Sequence, residues 1–479
     1  MNKKVLTFIK NFSYTLSSNL ISLIISTLVI MIVPKVIGIE EYGYWQLYLF
    51  YASYVGIFHF GWIDGIYLRY GGKEYRDLDK PLFFSQFWML CIMQFLIGII
   101  IYIITYFNID DANKIFIFQV MAICCLIVIP KTMLEFILQF TNRIEEYSKI
   151  TIIDRVVYCL LIIILLCFRV NQYKLMVVAD ITGKIVALGY SVYCCRDIVF
   201  RKINIFRVDI KETYKNLSVG IKLMFANLAS MLIIGIVRFG IESVWDVATF
   251  GKVSLTMSIC NMIMMFINAV GVIMFPMLRR MDESKLPEIY TTLRTVLVVP
   301  ILGILILYYP MSNLLSLWLP QYADGLTYMA LLFPMCVYEG KMSLLINTYL
   351  KTLRKEKSML FINMTSVCLS AITTGIIIVW QKNLMLAVLS IVGLLAFRTI
   401  IAETVISKIL KIRVKKDIIL ELTMTIIFIA TGWFFNAWIG VTIYLVTYIC
   451  YIVIKKNDIL HIIKIVQNVM RPKNSVESV

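Results

Sequence analysis

Charged side chains are scarce in this chain, and histidine is nearly absent. Of the 479 residues, 16% are charged and 60% are hydrophobic, and the mean hydropathy is +0.85. A water-exposed surface needs about 25% charged residues, so the composition excludes a string of soluble domains. The chain contains only two histidines, which excludes HExxH zinc chemistry and a His-rich metal cluster.

Motifs for nucleotide hydrolysis, disulfides and nucleophilic catalysis are also missing. There is no GxxxxGK[ST] loop, so we do not expect ATP to act on this chain directly. The 11 cysteines include no CxxC and nearly all lie inside apolar runs, where cysteine behaves as a small hydrophobe. The sequence therefore predicts no disulfide, no metal site and no catalytic residues, and we expect a protein that is not an enzyme.

Long apolar runs are what the chain has instead. A membrane-spanning helix needs about 20 apolar residues, whereas a strand of a membrane barrel needs only about ten alternating ones. The runs therefore predict an all-α, polytopic membrane protein with about 14 transmembrane helices. These are residues 12–35, 44–63, 82–106, 115–138, 150–168, 175–195, 217–241, 249–275, 293–315, 326–349, 358–380, 384–406, 418–436 and 438–454.

The excess of positive charge, +17 in total, is concentrated in alternate loops. With the N-terminus inside, the loops predicted to lie outside are short and contain only Lys114, Arg169, Lys174 and Lys382 as basic residues. This is the positive-inside pattern of membrane proteins, and it places both termini in the cytoplasm. No basic domain exists apart from the spans, so nucleic acid is not an expected partner.

Basic segments also divide the chain. The predicted parts are an N-terminal six-helix lobe (1–205), a basic cytoplasmic linker (206–216), a C-terminal six-helix lobe (217–407), and two extra helices with a cytoplasmic tail (408–479). A shift of 208 residues places Tyr42-Gly43 on Phe250-Gly251, each in the first outside turn of its half. The two lobes are therefore predicted to be a parallel repeat.

Some cations lie inside the apolar runs, where insertion costs about 2.5–3.5 kcal/mol each. Lys341 and Arg398 are far from either end of their spans, which makes them candidate functional residues. Lys35 and Lys252 lie at span ends, where the alternative is that they reach the outer interface. Pairs four residues apart on one helix face are predicted to neutralise each other. These pairs are Lys131–Glu135, Asp180–Lys184 and Arg238–Glu242.

Aromatic residues recur along the second predicted span. Tyr48, Tyr51 and Trp62 belong to a stripe at helical spacing, and sugar rings stack their C–H faces on such side chains. The stripe is therefore a candidate glycan path. The alternative is ordinary helix packing or an interface belt, which is the commoner origin of such a pattern.

Local motifs link these features to a known family. Pro34, Gly38 and Tyr42-Gly43 follow the first span, and a glycine-hydrophobic turn leads from Gly61 to Arg69 after the second. Together with the six-plus-six-plus-two topology, this resembles the polysaccharide repeat-unit flippases, the Wzx type. Those flippases belong to the multidrug/oligosaccharidyl-lipid/polysaccharide exporter superfamily.

The resemblance implies two lobes that form a V-shaped cavity lined by the first, second, seventh and eighth helices. It also implies a flippase that moves an undecaprenyl-pyrophosphate-linked oligosaccharide repeat unit across the bacterial cytoplasmic membrane by alternating access. The cargo would be a unit of O-antigen, capsule or a related surface polysaccharide. Mapped onto this chain, the resemblance makes Lys35, Arg69, Arg238 and Lys252 substrate-binding candidates, beside Lys341 and Arg398.

No cofactor is implied by this resemblance, although proton or sodium coupling is compatible with it. The implied partners are the lipid-linked oligosaccharide, membrane lipid and other membrane proteins of polysaccharide assembly. The alternatives are a teichoic-acid-like exporter, a cation-coupled multidrug exporter of the same superfamily, or a membrane-embedded glycan polymerase. Polymerases usually carry a large outside loop, and the short outside loops of this chain argue against that class.

Overall fold

The computed structural model describes residues 3–278 and 286–460, and throughout these two ranges the regular elements are helices. Thirteen stretches of the described residues are long and apolar enough to cross a membrane, and each is one helix or a run of consecutive helical pieces. Each corresponds to one of the apolar runs that predicted a span. The all-α, multi-pass membrane fold expected from composition is thereby confirmed.

The helices before residue 200 form the first part of the fold. The longest of them pair in an antiparallel manner, α4 on α5 and α6 on α7, and α1 packs against α6. In chain order they are α1 (Lys3–Val36), α2 (Ile39–Ala52), α3 (Trp62–Tyr70), α4 (Lys80–Asn108), α5 (Ala112–Phe140), α6 (Ile144–Cys167), α7 (Tyr173–Cys194) and α8 (Arg196–Val199).

The later helices include two long ones and several short consecutive pieces. Two π-helical segments, Lys341–Ile346 and Ile376–Gln381, continue α15 and α17. The helices are α9 (Ile210–Val244), α10 (Val247–Leu278), α11 (Leu286–Ile304), α12 (Tyr308–Trp318), α13 (Ala323–Leu326), α14 (Met329–Leu332), α15 (Met335–Gly340), α16 (Asn347–Thr352), α17 (Glu356–Gly375), α18 (Leu384–Leu410), α19 (Lys415–Phe434) and α20 (Ala437–Ile454).

Two compact units divide the chain. The first contains the residues up to Met231 together with Trp245–Leu255, and the second contains Leu232–Val244 together with the residues from Thr256 onward. Helices α9 and α10 therefore contribute to both units. The division into lobes at residues 206–216 stays a prediction, and the predicted cytoplasmic tail beyond residue 460 lies outside the described residues.

The second predicted span, residues 44–63, differs from the expectation because it is not one helix. Helix α2 ends at Ala52, a 3₁₀ turn follows, and α3 begins at Trp62. Phe60 and Gly61 have φ angles of 50° and 84°, in the left-handed region that interrupts a helix. Hydropathy does not register this break, since the turn residues are as apolar as the helices around them.

The linker between α7 and α9 is fastened to the start of α4. Asp197 in α8 contacts Lys80 and accepts a hydrogen bond from the Tyr75 hydroxyl at 2.5 Å. Two effects act on the pKa of the Asp197 carboxyl: burial favours a higher value, and the hydrogen bonds from Lys80 and Tyr75 favour a lower one. The hydrogen bonds outweigh burial, so the pKa lies below its usual value. Burial raises the pKa of the Tyr75 hydroxyl. The carboxylate of Asp197 therefore stays ionised and fixes α8.

In the second unit, the span formed by α14, α15, the first π segment and α16 is the most enclosed. Of its most apolar stretch, 89% is buried within the protein, against 17% for α20. On α19 and α20, large apolar side chains such as Phe434 and Trp438 are exposed, as expected for helices that face lipid. The enclosed span carries Lys341, whose surroundings are therefore protein rather than lipid.

Candidate functional site

Arg69 lies in the last turn of α3 and is held by the beginning of α9. Its Nη1 donates to Asn216 Oδ1 at 2.5 Å and lies 2.7 Å from Glu212 Oε1. The Tyr70 hydroxyl donates to the same Glu212 oxygen at 2.7 Å. A quarter of the Arg69 side chain remains exposed. The guanidinium is thus positioned by two residues but keeps an accessible face, an arrangement that can bind an anion.

The Arg69 contacts are possible because α3 and α9 meet at backbone distance. A Cβ atom added to Gly61 would lie 2.5 Å from the backbone nitrogen of Ile221, and one added to Gly220 would overlap Gly61 and Gly65. A side chain on Gly65 would overlap the carbonyl of Asn216. Three glycines therefore allow the two helices to cross without side chains between them, and we call this contact the α3–α9 crossing.

A second crossing of the same kind joins α2 to the start of α10. A Cβ atom on Gly251 would lie 2.7 Å from Gly43 Cα, and one on Gly43 would overlap Val247. These are the two glycines that the repeat of 208 residues placed in equivalent positions. The α2–α10 crossing and the α3–α9 crossing therefore hold the two ends of the broken second span against the starts of α9 and α10.

Three of the other predicted substrate-binding cations remain accessible. Lys35, at the end of α1, is exposed, whereas Lys252 in α10 and Arg238 in α9 are half-buried. Each also has at least one polar, ring or electrostatic contact with the rest of the chain. Their accessibility is compatible with the predicted role, which stays a prediction.

The aromatic candidates are placed in protein contacts. Tyr48 is fully buried and donates to Asp180 Oδ2 at 2.6 Å. The Trp62 indole is 3% exposed and donates to Gln86 Oε1 at 2.8 Å, and the half-buried Tyr51 ring lies 4.7 Å from that of Phe118. Because the helix breaks after Ala52, Trp62 does not continue the stripe of Tyr48 and Tyr51. Their role as a glycan path stays a prediction.

Two charge pairs predicted within single helices are present in the first unit. Lys131 Nζ lies 3.6 Å from Glu135, and Lys184 contacts Asp180. The structure adds a partner that spacing could not reveal, since Lys131 also donates to Asp154 of α6 at 2.6 Å. These pairs satisfy ionisable groups inside the helix bundle and join neighbouring helices.

Lys341 belongs to a closed ring of four buried charges in the second unit. Arg294 Nε is 2.5 Å from Glu403 Oε1, and Arg294 Nη2 is 2.5 Å from Glu421 Oε1. Lys341 contacts Glu403 and lies 2.5 Å from Glu421 Oε2. No side chain in the ring is more than 3% exposed. Cations and anions alternate, so each charge has two opposite neighbours.

The ring ties together four segments of the second unit: α11, the first π segment, α18 and α19. It extends toward α20, because Asp417 contacts both Arg294, at 3.3 Å, and Lys455. Lys341 is recognisable in the sequence as a deep cation, whereas Arg294, Glu403 and Glu421 were not predicted from the sequence. For the two glutamates a signal was available, because each lies in an apolar run and has no cation one helical turn away.

Arg398, the remaining candidate, is also buried and paired. Its side chain is 1% exposed, and its Nη1 and Nε donate to Glu339 Oε1 and Asn363 Oδ1, each at 3.0 Å. Glu339 is 24% exposed, so the carboxylate is the more accessible member of this pair. Substrate binding by Arg398 and Lys341 stays a prediction.

Comparison with known proteins places these features in a family. The family model described as "polysaccharide biosynthesis protein" matches residues 8–282, which is more than half of the 479 residues. No curated protein matches the chain. Among solved structures, the lipid II flippase MurJ in an inward closed conformation is similar, with a TM-score of 0.65 and 12% identity. The match covers 95% of this chain and 100% of that one.

A multidrug resistance MATE family transporter of the MOP superfamily, in an inward-facing conformation, is similar with a TM-score of 0.59 and 11% identity. That match covers 81% of this chain and 96% of the transporter. At such low identity these likenesses show the fold alone, which this chain shares with both proteins. The family match confirms the resemblance predicted from the sequence: the chain belongs to the polysaccharide biosynthesis protein family.

Proposed function

We propose that this protein is a flippase for a polyprenyl-pyrophosphate-linked oligosaccharide, which it moves from the inner to the outer leaflet of the bacterial cytoplasmic membrane. The observation that carries the proposal is the family match over residues 8–282. The fold it shares with MOP superfamily transporters supports transport rather than glycosyl-transfer chemistry. The short predicted outside loops support the same choice over a glycan polymerase.

The chemistry of the cargo explains what the protein must supply. A sugar pyrophosphate headgroup is anionic and heavily hydrated, so it does not cross about 30 Å of hydrocarbon unaided at a useful rate. Accessible cations replace part of the lost hydration by binding the pyrophosphate. The polyprenyl tail needs no such help and remains in the bilayer while the headgroup crosses.

The proposal assigns the headgroup to the cations that remain accessible. In the first unit these are Arg69, Lys35 and Lys252, and in the second unit the candidate is Arg238. Lys341 and Arg398 differ from these cations in having almost no exposed surface. Burying a charge with its partner stabilises packing between helices, whereas a transported anion requires a cation that it can reach and leave.

The direct test is reconstitution of the full chain in vesicles that contain a fluorescent polyprenyl-pyrophosphate oligosaccharide in one leaflet. The expected result is that headgroups become accessible on the opposite face, faster than in protein-free vesicles, under an applied proton or sodium gradient. If headgroups stay on their original side under every gradient, the proposal is wrong. Extrusion of a cationic dye by the same vesicles, without headgroup movement, would identify a multidrug exporter.

A strain that lacks the protein separates flipping from polymerisation. Loss of a flippase should leave lipid-linked single repeat units on the inner leaflet of the cytoplasmic membrane. Loss of a polymerase would leave the same units on the outer leaflet. Accessibility of the accumulated sugars to an impermeant periodate or lectin probe in spheroplasts decides between the two outcomes.

Arg238→Gln should reduce headgroup movement about tenfold or more, because a charge-assisted hydrogen bond to the pyrophosphate contributes about 1.5–3 kcal/mol. Membrane abundance and Tm should stay near the unmodified values, since the Arg238 side chain is half-buried rather than enclosed. The matched control is Arg354→Gln, which removes an exposed loop arginine. An equal loss of abundance and export for Arg238→Gln would instead assign this residue to folding.

A further inference from the structure

An apolar groove lies on the first unit, beside the linker that follows α8. It is a cavity of about 660 Å³ between the first turns of α4 and the linker that follows α8. The side chains that define it are Phe84, Trp88, Ile92, Phe200, Ile203 and Phe206. Phe84 and Ile92 are eight residues apart on α4, so this wall extends over about 12 Å.

Hydrogen bonds and ring contacts fasten the two walls of the groove to each other. The Trp88 indole donates to the carbonyl of Val199 at 3.2 Å, and the rings of Phe84 and Phe206 meet edge to face at 6.4 Å. The backbone nitrogen of Arg207 donates to Ser85 Oγ at 3.1 Å. The groove is therefore a fixed feature of the unit and not a gap beside a loose loop.

At Ile92 the groove continues into the exposed apolar side of α4. Ile92 is 53% exposed, and the next turns present Phe95 and Leu96, which are 56% and 55% exposed. Side chains this apolar and this exposed on a spanning helix face hydrocarbon. The groove therefore continues at its Ile92 end into the lipid-facing side of α4, and the linker lies at its other end.

At the linker end the groove is lined by two adjacent cations, Arg201 and Lys202. Arg201 Nε donates to the carbonyl of Asp197 at 2.8 Å, but within residues 3–278 and 286–460 neither cation has a carboxylate at ion-pair distance. Nearby basic residues differ, since Lys80 is paired with Asp197 and Arg143 with Glu146. Two cations without a carboxylate partner therefore lie at the linker end of the groove.

We propose that this groove binds an anionic glycerophospholipid of the cytoplasmic leaflet, with its phosphate on Arg201 and Lys202 and one acyl chain along Phe84, Trp88 and Ile92. Charge complementarity selects the anionic headgroup, because each basic residue at the membrane surface strengthens binding of an anionic lipid about fivefold. The occupant is a resident lipid and not the cargo. The lipid holds the linker against α4, and its site does not depend on the proposed flippase activity.

Trp88 provides the readout, because brominated acyl chains quench a tryptophan that they touch. The full chain is placed in bilayers of an unlabelled zwitterionic lipid with increasing fractions of brominated phosphatidylglycerol or brominated phosphatidylcholine. The chain has 8 tryptophans. The contribution of Trp88 is therefore the difference in quenching between the unmodified protein and Trp88→Phe.

We expect half-maximal quenching of Trp88 at a fraction of phosphatidylglycerol at least tenfold lower than that of phosphatidylcholine. The double variant R201Q/K202Q should lose this preference, a change of up to about 30-fold. The control K357Q/K408Q removes two exposed cations elsewhere and should keep it. If Trp88→Phe does not fold, native mass spectrometry of the unmodified protein and R201Q/K202Q gives the retained lipid directly.

Equal quenching by the two lipids would overturn the proposal, because the groove would then be ordinary lipid-facing surface. A preference for phosphatidylglycerol that survives R201Q/K202Q would overturn the assigned headgroup site. Displacement of the brominated phosphatidylglycerol by polyprenyl pyrophosphate at lower concentration would identify the carrier as the occupant instead. None of these outcomes changes the result of the flipping assay, so the lipid site and the flippase activity are tested separately.

Discussion

Lys341→Met should remove most of the folded protein from the membrane. The substitution keeps the length and apolar stem of the side chain but leaves Glu403 and Glu421 with Arg294 as their one remaining cation in the ring. Removing one partner of a buried ion pair costs about 3–5 kcal/mol, a large fraction of the total stability of most proteins. Membrane abundance and the Tm of the solubilised protein measure the effect.

The second step of this test restores the balance of charge. Lys341→Met combined with Glu421→Gln leaves Arg294 and Glu403 as a neutral pair, so abundance and Tm should recover in part. The control is Lys357→Met, which removes an exposed lysine and should change neither quantity. If Lys341→Met keeps normal abundance and Tm but abolishes headgroup movement, Lys341 binds substrate and the ring is not structural.

Gly220→Ala should separate α3 from α9 and reduce both stability and transport. The new methyl group would overlap Gly61 and Gly65, and these are backbone atoms that cannot rotate away. Overpacking of this kind costs about 1–3 kcal/mol. Because Glu212 and Asn216 precede Gly220 on the same helix, Arg69 would also lose the two residues that position it. The Tm and the rate of headgroup movement per folded molecule report the two effects.

Gly189→Ala is the matched control for this crossing. Gly189 lies inside α7 and has open space where a Cβ atom would be placed, so alanine should stabilise the helix by about 0.5–1 kcal/mol. A normal Tm and transport rate for Gly220→Ala would show that the two helices do not touch here in the membrane.

Most of the fold was predictable because a membrane-spanning helix is specified by length and apolar composition alone. The break in the second span was not, since it depends on the dihedral angles of Phe60 and Gly61. The spacing of Gly61 and Gly65, four residues apart, was the available hint of a close helix crossing. What glycines at that spacing would touch depends on Gly220, far away in the sequence.

The candidate site also contains contacts that the sequence could predict and contacts that it could not. Pairs one helical turn apart, such as Lys131 and Glu135, follow from the geometry of a single helix. The partners of Lys341 do not, because Glu421 is 80 residues further along the chain and joins the ring only through tertiary packing. The positions of deep cations were therefore visible in the sequence, whereas whether each is enclosed with carboxylates or left accessible was not.

The π-helical segment Lys341–Ile346 has a consequence for how this span can vary in length. A π turn holds about one residue more than the 3.6 of an α turn. Loss of a single residue there would restore regular α winding, and the residues on either side would keep their orientation. Tyr349 would still meet the ring of Tyr290 edge to face, as it does now at 4.9 Å. Alignments of this span with other chains should accordingly admit a one-residue gap at this segment, even though no loop interrupts it.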